Sequence, residues 1–94
     1  MFDKMKQLQQ MKEQMDAAKE RLNHISVKGE CQGITVVANG NKKILEVSIP
    51  DGMDMEELAE LIVIATNKAI ENAESVFESE MRGMAGGLMG GLGF

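Results

Sequence analysis

The sequence predicts an α+β fold, in which a helix, three short antiparallel strands and a second helix follow one another along the chain. The apolar residues of the N-terminal segment recur at spacings of three and four, as on one face of a helix. The period changes to two over residues 25–49, as in strands that bury one face. Beyond Pro50, a helix-capping signal opens a long segment without Gly or Pro, which favours a second helix.

The first helix is expected from Phe2 to about His24. This segment is rich in Lys, Gln, Glu, Met and Ala, which are good helix formers. Its apolar residues form a narrow seam that fits pairing with another helix. The seam consists of Leu8, Met11, Met15, Ala18, Leu22 and Ile25.

Three strands are predicted, and they span residues 25–30, 34–38 and 44–49. Asn39-Gly40-Asn41 is a hairpin signal between the second and third, because Gly and Asn tolerate the positive φ that tight turns need. Connections this short require an antiparallel meander. On the third strand, Leu45, Val47 and Ile49 are expected to share one face.

The second helix is expected to begin after Asp54, with Glu57 completing a capping box, and to end near Arg82. At 1.5 Å per residue this helix is about 43 Å long, whereas strands of five or six residues span about 20 Å. Half of the helix therefore extends beyond the sheet. The sequence predicts one domain over residues 1–82 and a flexible Gly/Met-rich tail over residues 83–94.

A single copy of the chain is expected to bury only a small core. It has 94 residues, no Trp or Tyr and only three Phe, so the large rings that anchor small cores are missing. A second copy is the simplest partner. The predicted dimer interface combines the third strand with the first half of the second helix, through Leu45, Val47, Ile49, Leu58, Leu61, Ile62 and Ala65.

The residue types argue against catalysis and metal binding. His24 and Cys31 are the only histidine and cysteine, whereas zinc normally takes about four such ligands and a cysteine nucleophile needs a nearby base. The acids from Asp51 to Glu60 lack the spacing of a calcium loop and suit a helix N-terminus. The sequence therefore predicts a non-enzymatic protein with no cofactor, metal or small-molecule substrate.

The N-terminal segment is too polar for a secretory signal, and no apolar run reaches the length of a membrane span. A single cysteine fits a reducing cytosol. The net charge of −5 argues against indiscriminate attraction to nucleic acid or anionic lipid. We expect a cytoplasmic protein with no membrane partner.

The first helix nevertheless holds half of the basic residues, namely Lys4, Lys6, Lys12, Lys19 and Arg21. It nets +1, while the rest of the chain nets −6. Lys12 and Lys19 lie together on one flank of the apolar seam. Taken alone, this pattern favours an ordinary solvated helix surface with pairs such as Lys12 and Asp16.

The order of several strings changes that interpretation. After the Gln/Met/Lys-rich opening helix come VKGE at 27–30, ITVVANG at 34–40, LEVSIPD at 45–51, LAELIVIA at 58–65 with NKA at 67–69, and a Met/Gly/Leu/Phe ending. In this order they resemble the YbaB/EbfC family of bacterial nucleoid-associated proteins over essentially the whole chain. Pro50 departs from the family pattern, in which an Ile-Asp step is expected.

The resemblance implies an α-β-β-β-α subunit, a tweezer-shaped homodimer with projecting helices, and non-catalytic binding to duplex DNA at the nucleoid. A role in nucleoid organisation or gene expression would follow. Lys4, Lys6, Lys12, Lys19 and Arg21 are the predicted DNA contacts. Binding should be weak and salt-sensitive with little base readout, because neutralised phosphates supply most of the affinity.

A second class of function remains open from the residues. The Met-rich helical surfaces suit a protein-interaction module or chaperone-like adaptor that holds a partner helix or an unfolded segment. Its acidic charge suits a protein partner at least as well as DNA.

Overall fold

The computed structural model describes the backbone of residues 2–91 and the side chains of residues 4–84. The elements are helix α1 (Phe2–Asn23), strands β1 (Ser26–Cys31), β2 (Ile34–Asn39) and β3 (Ile44–Ser48), and helix α2 (Met55–Gly91). The predicted α-β-β-β-α order is confirmed, and every strand lies within one residue of its predicted bounds.

The three strands form one antiparallel sheet in the order β1-β2-β3, as the short connections require. The turn between β1 and β2 consists of Gln32 and Gly33, whose φ angles of 47° and 91° are both positive. Two such residues in succession suit the tight turn that matches the right-handed twist of a hairpin. The predicted meander is therefore confirmed.

α2 lies across β1 and β2 and forms the core of the subunit with them. The buried apolar side chains of this core are Ile34, Val36, Ala38, Leu61, Ala65, Ala69 and Ala73. The alanines let the helix backbone approach the sheet closely. A Cβ on Gly29 of β1 would lie 2.1 Å from the Ala65 carbonyl oxygen and 2.3 Å from the Ala69 nitrogen. Strand and helix backbones are therefore in direct contact at this point.

Four of the residues predicted for the dimer interface lie on the side of α2 that faces its own sheet. Leu61 and Ala65 are 5% and 0% exposed within one subunit, and Leu58 and Ile62 are half-buried against the same core. Helical periodicity identified the apolar face of α2, but it cannot tell which surface covers that face. Because the side chains opposite Gly29 are small, this face of α2 packs against β1 and β2 of its own subunit.

α2 continues to Gly91, a length of 37 residues, so the helix end predicted at Arg82 is wrong. A glycine disfavours a helix by about 1 kcal/mol but keeps its N–H, and no proline interrupts the hydrogen-bond ladder beyond Gly83. The flexible tail over residues 83–94 and the domain boundary at residue 82 stay predictions. Residues 92–94 lie outside the described part of the chain.

Candidate nucleic-acid interface

α1 is anchored to the rest of the subunit near its C-terminal end. Ala18 and Leu22 are fully buried, whereas residues 4–17 are all exposed. We call residues 4–17 of α1 the arm. The subunit is elongated, with Cα extents of 64 × 22 × 17 Å.

The turn between β2 and β3, residues 40–43, packs directly against the end of α1. The Gly40 N–H donates to the Leu22 carbonyl at 2.9 Å, one of the carbonyls at a helix end that have no partner inside the helix. A Cβ on Gly40 would lie 2.7 Å from Leu22 Cδ2. The hairpin predicted here is confirmed. Its residue with positive φ is Lys42, at 67°, and not Gly40. A glycine at position 40 is instead required by the close approach to Leu22.

Three asparagine side chains extend the contact between the turn and α1. Asn41 Nδ2 donates to the Lys19 carbonyl at 3.0 Å and to Asn23 Oδ1 at 2.6 Å. Asn39 Nδ2 lies 3.5 Å from the same Asn23 oxygen. The direction of α1 relative to the sheet is therefore set by several hydrogen bonds as well as by the burial of its last turns.

The five residues predicted to contact DNA are all on α1 and all exposed. Four of them, Lys4, Lys6, Lys12 and Lys19, take part in no ion pair among the described side chains. Arg21 differs, because its Nε donates to Glu80 Oε1 of α2 at 2.7 Å and its Nη2 contacts the same oxygen. Arg21 therefore serves to join the two helices.

Two further basic residues, Lys42 and Lys43, lie in the turn beside α1, and the sequence reasoning did not include them. Lys42 Nζ stands 4.6 Å from the centroid of the Phe77 ring of α2, a favourable cation–π arrangement. Lys43 is exposed. The hairpin signal in the sequence places both lysines at one end of the sheet. That this end lies close to the basic residues of α1 is evident only from the packing of the turn against the helix.

Charge is divided unequally between the two helices. α1 and residues 40–43 together contain seven basic and four acidic residues, whereas α2 contains two basic and seven acidic ones. A polyanion is therefore attracted to α1 and its neighbouring turn and repelled by α2. This division is consistent with a nucleic-acid interface on α1 despite the negative net charge.

β3 is the part of the sheet that α2 leaves uncovered, and each of its residues is exposed. Val47 pairs with Val36, and Ile44 pairs with Ala38. Paired residues project to the same face of a sheet, so Val47 and Ile44 lie on the face that α2 covers over β2. Leu45, Val47 and Ile49, predicted for the dimer interface, are 54%, 42% and 46% exposed.

His24 and Cys31 have ordinary surroundings. His24, just beyond α1, is exposed and bonds Glu20 of that helix at 3.1 Å, and Cys31 is a half-buried free thiol at the end of β1. Among the described side chains, no three His, Cys, Asp or Glu are grouped as metal ligands would be. Within the same residues, no helix has the length and apolarity needed to cross a membrane.

The sequence model of the YbaB/EbfC DNA-binding family matches residues 1–88. A relative from Caldanaerobacter subterraneus, named a nucleoid-associated protein, is 38% identical over 88 residues, which is 87% of this chain and 79% of that protein. Relatives with the same name from Chlorobium phaeobacteroides and Ruminiclostridium cellulolyticum are 37% and 38% identical, over 93% and 94% of this chain and 82% and 81% of theirs. The chain belongs to the YbaB/EbfC DNA-binding family.

Proposed function

We propose that this chain is a nucleoid-associated protein that binds duplex DNA as a homodimer in the cytoplasm, with little base-specific readout and without catalysis. The observation that carries the proposal is the arm, which is exposed throughout and bears lysines with no ion-pair partner among the described residues. In a chain of a DNA-binding family, such a helix is the natural contact with the phosphate backbone.

The geometry of α1 suits contact with several phosphates. At 1.5 Å per residue, Lys4 and Lys19 are about 22 Å apart along the helix axis, and a duplex presents about one charge per 1.7 Å of its own axis. Lys12 and Lys19 lie on one flank of the helix, so one backbone can meet both. Each contact releases counterions and adds to the salt dependence of binding.

The side chains available favour backbone contacts over base readout. Lysine is a compact point charge, whereas guanine is read most often by the fork of an arginine. The single arginine of α1, Arg21, is held by Glu80. Aromatic side chains for stacking are scarce, since the whole chain has three Phe and no Trp or Tyr. We therefore expect weak discrimination between base sequences.

The homodimer is supported by the uncovered apolar surface of β3. Isolated exposed apolar residues are common, but a row of them along an edge strand marks an interaction site. Val63 of α2, 58% exposed, shares a helix face with Ala59, Thr66 and Ile70 and is a further exposed apolar position. Two copies joined there would carry two arms, which gives each dimer twice the phosphate contacts of one subunit.

The dimer is tested by one substitution inside the surface and a matched one outside it. Val47→Lys places a charge in the proposed interface and should convert the dimer to a monomer in sedimentation velocity. Ile64→Lys is the control, because Ile64 is 43% exposed but lies on α2 between Glu60 and Lys68, on the charged flank of the helix. A wild-type chain that sediments as a folded monomer at micromolar concentration would contradict the dimer.

DNA binding is tested by fluorescence anisotropy with a labelled duplex at low salt. Charge reversal by Lys12→Glu should weaken binding and reduce the slope of log affinity against log salt by about 0.9 for each copy that loses a contact. Lys28→Glu, an equal charge change at an exposed position of β1, should have little effect. If Lys12→Glu and Lys28→Glu have the same effect, the contact surface is not on α1, and if wild-type protein binds no duplex the proposal fails.

The exposed seam of α1 supports a second candidate, a protein-interaction module. Met5, Leu8, Met11 and Met15 are 70%, 66%, 44% and 43% exposed, and flexible methionines suit adaptable contacts. Capture of partners from lysate with and without nuclease separates the two functions. A partner that stays bound after nuclease treatment, and is lost in Met11→Lys, would favour the interaction module over DNA binding.

A further inference from the structure

We propose that the turn between β2 and β3 is a second part of the duplex-binding surface, in which Lys43 contacts a phosphate next to those contacted by Lys12 and Lys19. This inference rests on the proposed function. It adds to α1 a contact that comes from the sheet and is 24 residues away from Lys19 along the chain.

The turn is held in one conformation by its own hydrogen bonds. The Asn39 side chain, in a residue only 5% exposed, accepts through Oδ1 from the backbone N–H groups of Asn41 at 2.9 Å and Lys43 at 3.1 Å. The Lys42 N–H donates to the Asn39 carbonyl at 3.0 Å, and the Asn39 N–H to the Lys43 carbonyl at 2.9 Å. A phosphate contact from this turn therefore costs little ordering of the backbone.

The turn meets α1 on the flank that bears the lysines. Around a helix of 3.6 residues per turn, Lys12, Lys19 and Asn23 fall within about 40° of one another. Asn41 bonds to the Lys19 carbonyl and the Asn23 side chain, so the turn stands at the end of the row formed by Lys12 and Lys19. Arg21 points instead toward Glu80 on α2.

The two lysines of the turn have different surroundings, which identifies the one that contacts DNA. Lys42 is held over the Phe77 ring, so it faces α2 with its seven acidic residues. Lys43 is exposed, and its ammonium forms no hydrogen bond or ion pair with the described residues. The charge of Lys43 is thus available to a phosphate at the end of the α1 row.

The test compares Lys43→Gln with Lys28→Gln in a duplex titration. The two variants remove the same charge from exposed positions of the sheet region, but only Lys43 lies beside α1. We expect Lys43→Gln to lower the magnitude of the slope of log affinity against log salt by about 0.9 per contacting copy. For each such copy, the ratio of wild-type to variant affinity should then shrink about threefold between about 50 mM and about 200 mM salt. Lys28→Gln should keep the wild-type slope.

The role of Asn41 as a positioning residue is tested in the same titration. Asn41→Ala removes the bonds of the turn to Lys19 and Asn23 while the Gly40 bond to Leu22 remains, and the slope change caused by Lys43→Gln should then become smaller. If Lys43→Gln and Lys28→Gln titrate alike while the wild-type protein binds duplex, the turn is not a contact and only this inference is overturned. If the wild-type protein binds no duplex, the proposed function itself fails.

Discussion

α2 lies along two strands of the sheet through a row of alanines, whereas α1 touches the rest of the subunit near its C-terminal end. On α2, Ala65, Ala69 and Ala73 are fully buried over a distance of about 12 Å. Over residues 4–23 of α1, burial is limited to Ala18 and Leu22. The helix that packs on the sheet is the acidic one, and the lysines without an ion-pair partner among the described side chains lie on the helix that is exposed over residues 4–17. Under the proposed function, stability and DNA binding depend on different helices.

The contact between α2 and β1 predicts the largest effect of a single substitution. Gly29→Ala places a Cβ against the Ala65 carbonyl oxygen and the Ala69 nitrogen, and neither backbone atom can move without shifting α2. We expect the free energy of unfolding to fall by about 3 kcal/mol or more, measured by urea denaturation at a fixed protein concentration.

Gly83→Ala is the matched control for Gly29→Ala. A Cβ on Gly83 has no neighbour within 4 Å, and alanine is favoured over glycine inside a helix by about 1 kcal/mol. This variant should be as stable as the wild type or slightly more stable. A Gly29→Ala protein of wild-type stability would show that α2 does not pack directly on β1.

The anchor of α1 predicts an intermediate effect. Ala18→Gln forces a long polar side chain into a fully buried site and should lower the free energy of unfolding by about 2 kcal/mol. Ala17→Gln, one residue away on the exposed side of the helix, should change it by less than about 0.5 kcal/mol. Equal effects of the two variants in thermal or urea unfolding would mean that α1 is not anchored through Ala18.

The ion pair between the helices predicts the smallest effect on stability. Glu80→Gln removes the partner of Arg21, and because the two side chains are 24% and 55% exposed the cost should stay below about 1 kcal/mol. The freed Arg21 should strengthen duplex binding. Glu78→Gln removes an equal charge from α2, but its contact with Arg82 is 4.0 Å long. Affinities that rise equally in the two variants would assign the gain to net charge rather than to Arg21.

Much of the fold could be predicted from local signals in the sequence. The change of period from about 3.6 to 2 marked α1 and the strands, and Asn39-Gly40-Asn41 marked the second hairpin. The end of α2 could not be predicted in the same way, since glycine at position 83 lowers helix propensity without forbidding a helix. The need for Gly40 was also misjudged, because it arises from Leu22, a residue 18 positions earlier in the chain.

The candidate site could be predicted only in part, for a similar reason. The lysines of α1 were evident from composition and spacing. The pair of Arg21 with Glu80 joins residues 59 positions apart, and no local pattern indicates it. The approach of the turn to Lys19 likewise depends on how the sheet packs against α1. Tertiary packing likewise decides which apolar face of α2 is covered by the sheet of its own subunit. Leu61 and Ala65 lie on that face.

The central claim is that α1 binds the phosphate backbone of duplex DNA. The most direct measurement is the affinity of the wild-type protein for a labelled duplex over a range of salt concentrations. We predict that the protein binds the duplex at low salt and that the logarithm of its association constant falls linearly with log salt, with a slope of magnitude about 2 to 5. The association constant should depend little on duplex sequence. No binding at low salt, or an affinity that does not change with salt, would contradict the account.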